Sequence, residues 1–170
     1  MFESTLHKTY LNCIYALVNV DGIFDHGADT QYGLMNYIAK FSLANDEYQI
    51  SRLARSYLKG QEPYIRNKTV FPKNNTSEPE RSFTFEHPIP SSVIRDLLRE
   101  SSRSLDDVEK ILLQTSYIVV LTQSENKLIK SEYRSKMPRG WVLGDDPYAR
   151  YVDTPIQLDG VIKVRGAIVR

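Results

Sequence analysis

The chain has 170 residues, of which 41% are hydrophobic and 25% are charged, and its formal net charge is +1. This composition predicts one globular domain, or one domain with an appendage, and excludes a fibrous or wholly disordered protein. Its 22 basic and 21 acidic residues exclude a strongly basic nucleic-acid coat, although a local basic surface remains compatible with them.

The chain also carries signals about its compartment. Cys13 is the single cysteine, so no disulfide can form within the chain. The N-terminus lacks a basic segment followed by an apolar core, and no apolar run approaches the roughly 18 residues that a membrane span needs. We therefore expect a cytoplasmic protein that is neither secreted nor inserted in a membrane.

Apolar residues recur at helical spacing through the first 60 residues. Leu6 to Val20 predicts a first helix and residues 30–43 predict a second. A third is predicted over residues 46–58, with Asn45 as its cap. Three consecutive helices with short connections predict an α-helical subdomain over residues 1–60.

The character of the sequence changes between residues 61 and 82. This stretch contains three prolines and, in its second half, almost no apolar side chains. Such a composition is typical of a solvated loop or a linker. We place a domain boundary there and expect residues 83–170 to form a second unit.

The second unit opens with a short strand followed by two helices. Phe83 to Phe85 alternates as a strand does, and Pro88 must end that strand because proline cannot donate to a ladder. Ser91 and Ser92 are positioned to cap one helix, and Ser104 is positioned to cap the next.

A β-branched apolar run from Tyr117 to Leu121 gives the clearest strand prediction in the chain. Ser124 is placed to cap a helix directly after it. Residues 135–150 predict an ordered surface loop, in which we expect Arg150 to pair with an aspartate of the Gly-Asp-Asp-Pro turn. Asp159-Gly160 lies between two apolar segments and predicts a two-residue β-hairpin. The resulting fold class is α+β.

Several residues in this second unit suit phosphodiester hydrolysis. That reaction needs an activated water, a cation beside the scissile phosphate and groups that neutralise the developing charge. His87 suits the first task because its unperturbed pKa lies near the working pH. Oxygen donors such as Glu86 and Asn126 suit a hard divalent cation. The basic residues that follow would neutralise phosphate charge; they are Lys127, Lys130, Arg134, Lys136 and Arg139.

Two segments, E-H-P-I-P-S-S from residue 86 and Y-I-V-V-L-T-Q-S-E-N-K-L-I-K from residue 117, resemble the HNH or ββα-metal (His-Me finger) endonucleases. In that family an acidic residue and a histidine end one strand, and a second strand leads to a His or Asn that opens a helix. The resemblance covers residues 83–137. Thr115-Ser116 stands where the family usually has a bracing asparagine, and the insert between the two segments is longer and helical.

The resemblance implies a small mixed ββα-metal-like core and an activity. His87 would be the general base, and Glu86 with Asn126, or with Glu125 instead, would hold one divalent ion, Mg²⁺ or alternatively Mn²⁺. The substrate would be DNA, with RNA still open, as in a restriction-type or phage-type endonuclease. Cleavage of both DNA strands would need a homodimer or two sequential nicks.

Two other interpretations stay open. The chain could be a non-catalytic phage accessory or regulatory protein that binds a protein or nucleic-acid partner, with His87 in an ordinary turn and Asn126 in ordinary helix-start chemistry. A different nuclease architecture would pair Glu125 with Lys127 on a strand. That architecture requires the strand to continue through Lys127.

Overall fold

The computed structural model describes residues 5–25, 28–58, 64–65, 68–69 and 83–163, and the side chains of residues 28–32, 64–65 and 68–69 are outside the description. Its helices are α1 (Thr5–Val18), α2 (Ala28–Leu43), α3 (Arg52–Leu58), α4 (Ser91–Glu100), α5 (Leu105–Thr115) and α6 (Gln123–Leu128). Its strands are β1 (Glu47–Ser51), β2 (Tyr64–Ile65), β3 (Lys68–Thr69), β4 (Phe83–Glu86), β5 (Val119–Thr122) and β6 (Leu158–Lys163). In the described part of the chain, short 3₁₀ helices cover Ser131–Tyr133 and Ala149–Tyr151.

One mixed sheet carries four of the strands, in the order β4-β5-β1-β6. β1 runs parallel to β5, whereas β4 is antiparallel to β5 and β6 is antiparallel to β1. β2 and β3 form a separate antiparallel pair. Helices packed beside a mixed sheet confirm the predicted α+β class. Within the described residues no helix is both long enough and apolar enough to cross a bilayer.

Helices from both halves of the chain share one apolar core. Ile14 of α1, Ile38 of α2, Ile94 of α4 and Leu112 of α5 are all fully buried in the same cluster. Each such side chain contributes roughly 1.5–3 kcal/mol through removal of its surface from water. The four helices therefore form one layer, although a long segment separates α2 from α4.

The prediction of one helix over residues 46–58 is wrong in its first part, because Glu47–Ser51 is a central strand of the sheet. Tyr48 and Ile50 are buried and alternate with Glu47 and Gln49, which is the period of a strand. The helix starts six residues later than predicted, at Arg52, and the Ser51 hydroxyl accepts a hydrogen bond from the Ala54 amide at 3.0 Å. Ser51 thus replaces Asn45 as the capping residue.

The placement of β1 bears on the predicted division of the chain. β1 belongs to the segment 1–60, yet it lies between β5 and β6 of the segment 83–170. The two segments therefore share a sheet as well as a helical core. The predicted linker over residues 61–82 lies outside the described residues except for β2 and β3.

Of the capping predictions in the second segment, one is confirmed and the others are wrong. Ser104 is confirmed as a cap, since its hydroxyl accepts from the Asp107 amide at 3.2 Å. α4 is preceded by Pro90 and has no side-chain cap, so the prediction for Ser91 and Ser92 is wrong. α6 is capped by Thr122 rather than by Ser124. It begins at Gln123, and this excludes the alternative nuclease architecture that needs a strand through Lys127.

The predicted hairpin at Asp159-Gly160 is also wrong, because β6 runs unbroken through both residues. Gln49 pairs with Val161 and Ser51 pairs with Leu158, so β6 carries one extra residue there. Gly160 has a φ of +70°. An extra residue in one strand, with a glycine in the left-handed region, is a β-bulge. The Asp-Gly sequence therefore forms a bulge here rather than a hairpin turn.

Substituting Gly160 with alanine should lower the free energy of unfolding by about 1 kcal/mol, since a left-handed conformation is strained for any residue with a Cβ. Space is not the obstacle: the nearest atom to an added Cβ is Arg55 Nη2 at 3.7 Å. The matched control is Gly33→Ala in α2, where nothing lies within 4 Å and alanine should stabilise the helix. Chemical denaturation of both variants checks the opposite signs.

Candidate active site

The acid-histidine pair lies at one end of the β4-β5 ladder. Glu86 pairs with Val119, and Phe83, at the start of β4, pairs with Thr122 at the end of β5. α6 follows Thr122 directly, so it begins about 10 Å along the strand from the level of Glu86. The order of elements is strand, helical insert, antiparallel strand, helix, with His87 immediately beyond the first strand.

A buried arginine holds the Glu86 carboxylate. Arg150 donates from Nη2 to Glu86 Oε1 at 2.7 Å, and its side chain is only 1% exposed. The prediction that Arg150 pairs with an aspartate of its own loop is therefore wrong. Those two carboxylates bind main-chain amides instead: Asp145 accepts from Val142 and Asp146 accepts from Tyr148, both at 2.9 Å.

Burial sets the protonation of the pair. It raises the pKa of the Glu86 carboxyl, while the cations Arg150 and Arg134 oppose that rise. Burial, reinforced by the positive charge of Arg150, lowers the pKa of His87 to about 4. The imidazole is thus neutral at pH 7, and among the described residues its enclosed Nε2 atom has no hydrogen-bond partner.

The low pKa of His87 predicts a pH-dependent stability. An unfolded histidine binds a proton near pH 6.5, so between pH 6.5 and 4 the unfolded chain takes up a proton that the folded chain refuses. The contribution of neutral His87 to the free energy of unfolding is fully present above pH 6.5. It is lost as the pH drops towards 4, and the loss is at most about 3 kcal/mol. Urea unfolding at pH 7.5 and 4.5 should show this loss in wild type and a smaller loss in His87→Gln. His7 and Glu86 titrate in both proteins, so their effects on the free energy of unfolding largely cancel when the two losses are compared.

Glu125 has a structural role in the start of α6. Its Oε2 atom accepts from the Ser51 hydroxyl at 2.6 Å, the Thr122 amide at 2.9 Å and the Thr122 hydroxyl at 3.0 Å. With the bond from the Glu125 amide to the Thr122 hydroxyl, this forms a capping box. Three donors therefore already engage Glu125 Oε2, which favours Asn126 as the candidate for the remaining ligand.

After α6 the chain returns towards the level of Glu86. Ile129 packs with Val119 and Leu121 on one face of the sheet, and Arg134 is near enough to influence the pKa of Glu86. Asn126 is half-buried at the fourth position of α6, before this return. The positive charge of Arg134 thus acts on Glu86, and a ligand role for Asn126 stays a prediction.

The five predicted phosphate-contacting residues are all exposed; they are Lys127, Lys130, Arg134, Lys136 and Arg139. Lys130 is engaged, since its ammonium donates to Asp153 Oδ2 at 2.7 Å and that bond raises its pKa. The others extend from α6 through the following loop. All of them are exposed to solvent, so a phosphate could reach each one.

Sequence reasoning missed two buried residues of this site, Arg150 and Tyr151. Besides its bond to Glu86, Arg150 donates from Nη1 to the carbonyl of His87 at 3.0 Å. Burial and the nearby Glu86 charge raise the pKa of Tyr151. Among the described residues neither Arg150 Nε nor Tyr151 Oη has a hydrogen-bond partner. The available signal was the run Tyr-Ala-Arg-Tyr itself, which puts two aromatic residues into a stretch rich in glycine, proline and aspartate.

The donor atoms permit a divalent ion. Glu86 binds Arg150 through Oε1, and its Oε2 has no hydrogen-bond partner among the described residues. An Asn126 amide oxygen that reached this atom would complete a pair of hard donors, a set that suits Mg²⁺ or Mn²⁺. The described part of the chain holds no cluster of three or more His, Cys, Asp or Glu side chains suited to a metal. A metal here would therefore depend on the Asn126 amide and on water.

Comparison of the chain with protein-family models, with curated proteins and with solved structures finds no match.

Proposed function

We propose that this protein is a divalent-metal-dependent endonuclease that hydrolyses phosphodiester bonds in DNA. The observation that carries the proposal is the position of His87, directly beyond an antiparallel strand and next to Glu86, with an Nε2 atom that has no partner among the described residues. The strand, insert, strand, helix order agrees with the ββα arrangement that the sequence resembles.

Each residue has a task in this reaction. His87 would accept the proton of the attacking water; with a pKa of about 4 it is a weaker base than an ordinary histidine, and its enclosed Nε2 must become accessible to that water. Glu86 and Asn126 would hold the divalent ion, which when bound polarises the scissile phosphate and stabilises the charge that develops on it. Arg134 and the neighbouring exposed cations bind the phosphates on either side of the cleaved bond.

The proposal is tested with supercoiled plasmid DNA. Purified protein should nick the plasmid with Mg²⁺ or Mn²⁺ and should be inactive in excess EDTA. A single-stranded RNA substrate in parallel separates the two nucleic acids. Absence of cleavage with Mg²⁺, Mn²⁺ and Ca²⁺ by folded protein would refute the enzyme.

DNA binding offers a second measurement, which does not depend on catalysis. The double variant Lys136→Gln/Arg139→Gln should weaken DNA binding and lower the slope of log affinity against log salt by about 1 for each lost phosphate contact. Lys110→Gln, an exposed lysine on α5, is the matched control. An equal loss of DNA affinity in the double variant and in Lys110→Gln would mean that Lys136 and Arg139 do not contact the DNA.

A non-catalytic nucleic-acid-binding protein is the second candidate. The observation in its favour is the Glu86–Arg150 ion pair, which already neutralises the Glu86 carboxylate next to His87. DNA binding that depends on Lys136 and Arg139, without any cleavage, would support this candidate.

A further inference from the structure

Arg150 differs from every cation of the proposed DNA-binding surface because it is buried. Its side chain is 1% exposed, so it cannot reach a phosphate from its present position. Burying a guanidinium is costly unless its donors are satisfied. The partners that offset this cost are the acidic side chain and the main chain of the site itself.

The guanidinium binds three consecutive residues. Nη2 donates to Glu86 Oε1 at 2.7 Å, while Nη1 donates to the carbonyls of His87 at 3.0 Å and, more weakly, of Pro88 at 3.5 Å. β4 ends at Glu86, so both carbonyls lie beyond the ladder that orders the strand. Pro88 contributes no main-chain donor to this turn. Arg150 is therefore the group that ties the turn together.

The loop that carries Arg150 is itself well anchored. The Trp141 indole donates to the Asp146 carbonyl at 3.0 Å, and Trp141 packs against the core of α1, α2, α4 and α5. At the start of the loop, the Ser92 hydroxyl donates to the Ser135 carbonyl at 2.8 Å. The guanidinium thus reaches Glu86 from a support fixed to the helical layer.

We propose that Arg150 is the positioning residue of this site: its planar fork fixes the Glu86 carboxylate and the His87 main chain together. The inference rests on the proposed function for its catalytic meaning, although the positioning can be measured without catalysis. A lysine could keep the charge but could not bridge the side chain and the main-chain carbonyls with the same geometry.

The test compares wild type, Arg150→Lys and Arg55→Lys, each labelled with ¹³C at the histidine Cε1 position. Arg55 is a matched control, since it also combines an ion pair with Asp159 and bonds to main-chain carbonyls, but far along the fold at β6. At pH 7.5 the His87 resonance, assigned from its loss in His87→Gln, should shift and broaden in Arg150→Lys alone. An unchanged His87 resonance in folded Arg150→Lys overturns the proposal.

Kinetics provide the second arm. In Arg150→Lys the kcat for plasmid cleavage should fall by about 10²-fold with KM for DNA nearly unchanged, as expected for misplaced catalytic groups. An unchanged kcat overturns the positioning role. If wild type does not cleave at all, the proposed function fails, and the resonance of His87 alone decides the role of Arg150.

A measurement on wild type covers the case in which Arg150→Lys does not fold. Guanidinium protons held by fixed acceptors exchange slowly and give separate signals for the two Nη groups of Arg150 in ¹⁵N spectra. One averaged, rapidly exchanging signal would overturn the proposal.

Discussion

Substituting His87 with glutamine is expected to reduce kcat for DNA cleavage by about 10²- to 10⁴-fold, the usual contribution of a general base. Glutamine retains polar atoms of similar reach but cannot take up a proton. Because the imidazole is neutral in the folded protein, the substitution removes no charge at pH 7, and the surrounding structure should persist. Single-turnover cleavage at saturating Mg²⁺ measures the loss.

The control for this substitution is His7→Gln. His7 is buried too, and its Nε2 atom lies 3.0 Å from Asn45 Oδ1, in the helical layer rather than at β4. It should affect stability without a comparable effect on kcat. Wild-type cleavage by folded His87→Gln would rule out His87 as the base, whatever its effect on stability.

Replacing Arg150 with methionine is expected to lower the free energy of unfolding by about 3 kcal/mol, because it leaves a largely buried carboxylate and two main-chain carbonyls without their partner. Glu86 is 19% exposed, which puts the cost at the low end of the range for buried pairs. Urea denaturation at pH 7.5 checks the value. The comparable change at Arg55, whose side chain is 39% exposed, should cost less than about 1 kcal/mol.

A double-mutant cycle identifies the source of this loss. Combining Arg150→Met with Glu86→Met should give a coupling energy of roughly 0.5–3 kcal/mol, since the second change removes the carboxylate that the first leaves unpaired. Part of the loss should remain, because the carbonyls of His87 and Pro88 still lack their donor. A coupling of zero would mean that the ion pair contributes nothing to stability.

Much of the fold follows from local patterns in the sequence. The helical periods of α1, α2 and α5 and the β-branched run of β5 are confirmed, because each element carries a long or strongly biased pattern. β1 was missed because five residues alternate too briefly to outweigh the helical composition that follows. Asp-Gly was misjudged because a bulge and a hairpin turn demand the same left-handed glycine.

The site was less predictable than the fold, for a physical reason. Local chemistry marks Glu86 and His87, since a proline ends the strand that carries them. The partner of Arg150 is not local: 64 residues separate it from Glu86, and two aspartates lie much nearer in the chain. Choosing among these carboxylates requires knowing which one is buried, and burial depends on the packing of the whole loop.

The central strand has a consequence for how the protein reaches its native state. Gln49 must find Val119, 70 positions further along the chain, before β5 gains its parallel neighbour. Pairings of such high contact order form slowly, because the entropy of closing the chain is lost before the contacts are gained. Native-like structure around residues 86–88 should therefore appear late in refolding, after the local helices, and a fragment that begins at residue 83 would lack the strand on which its own sheet is built.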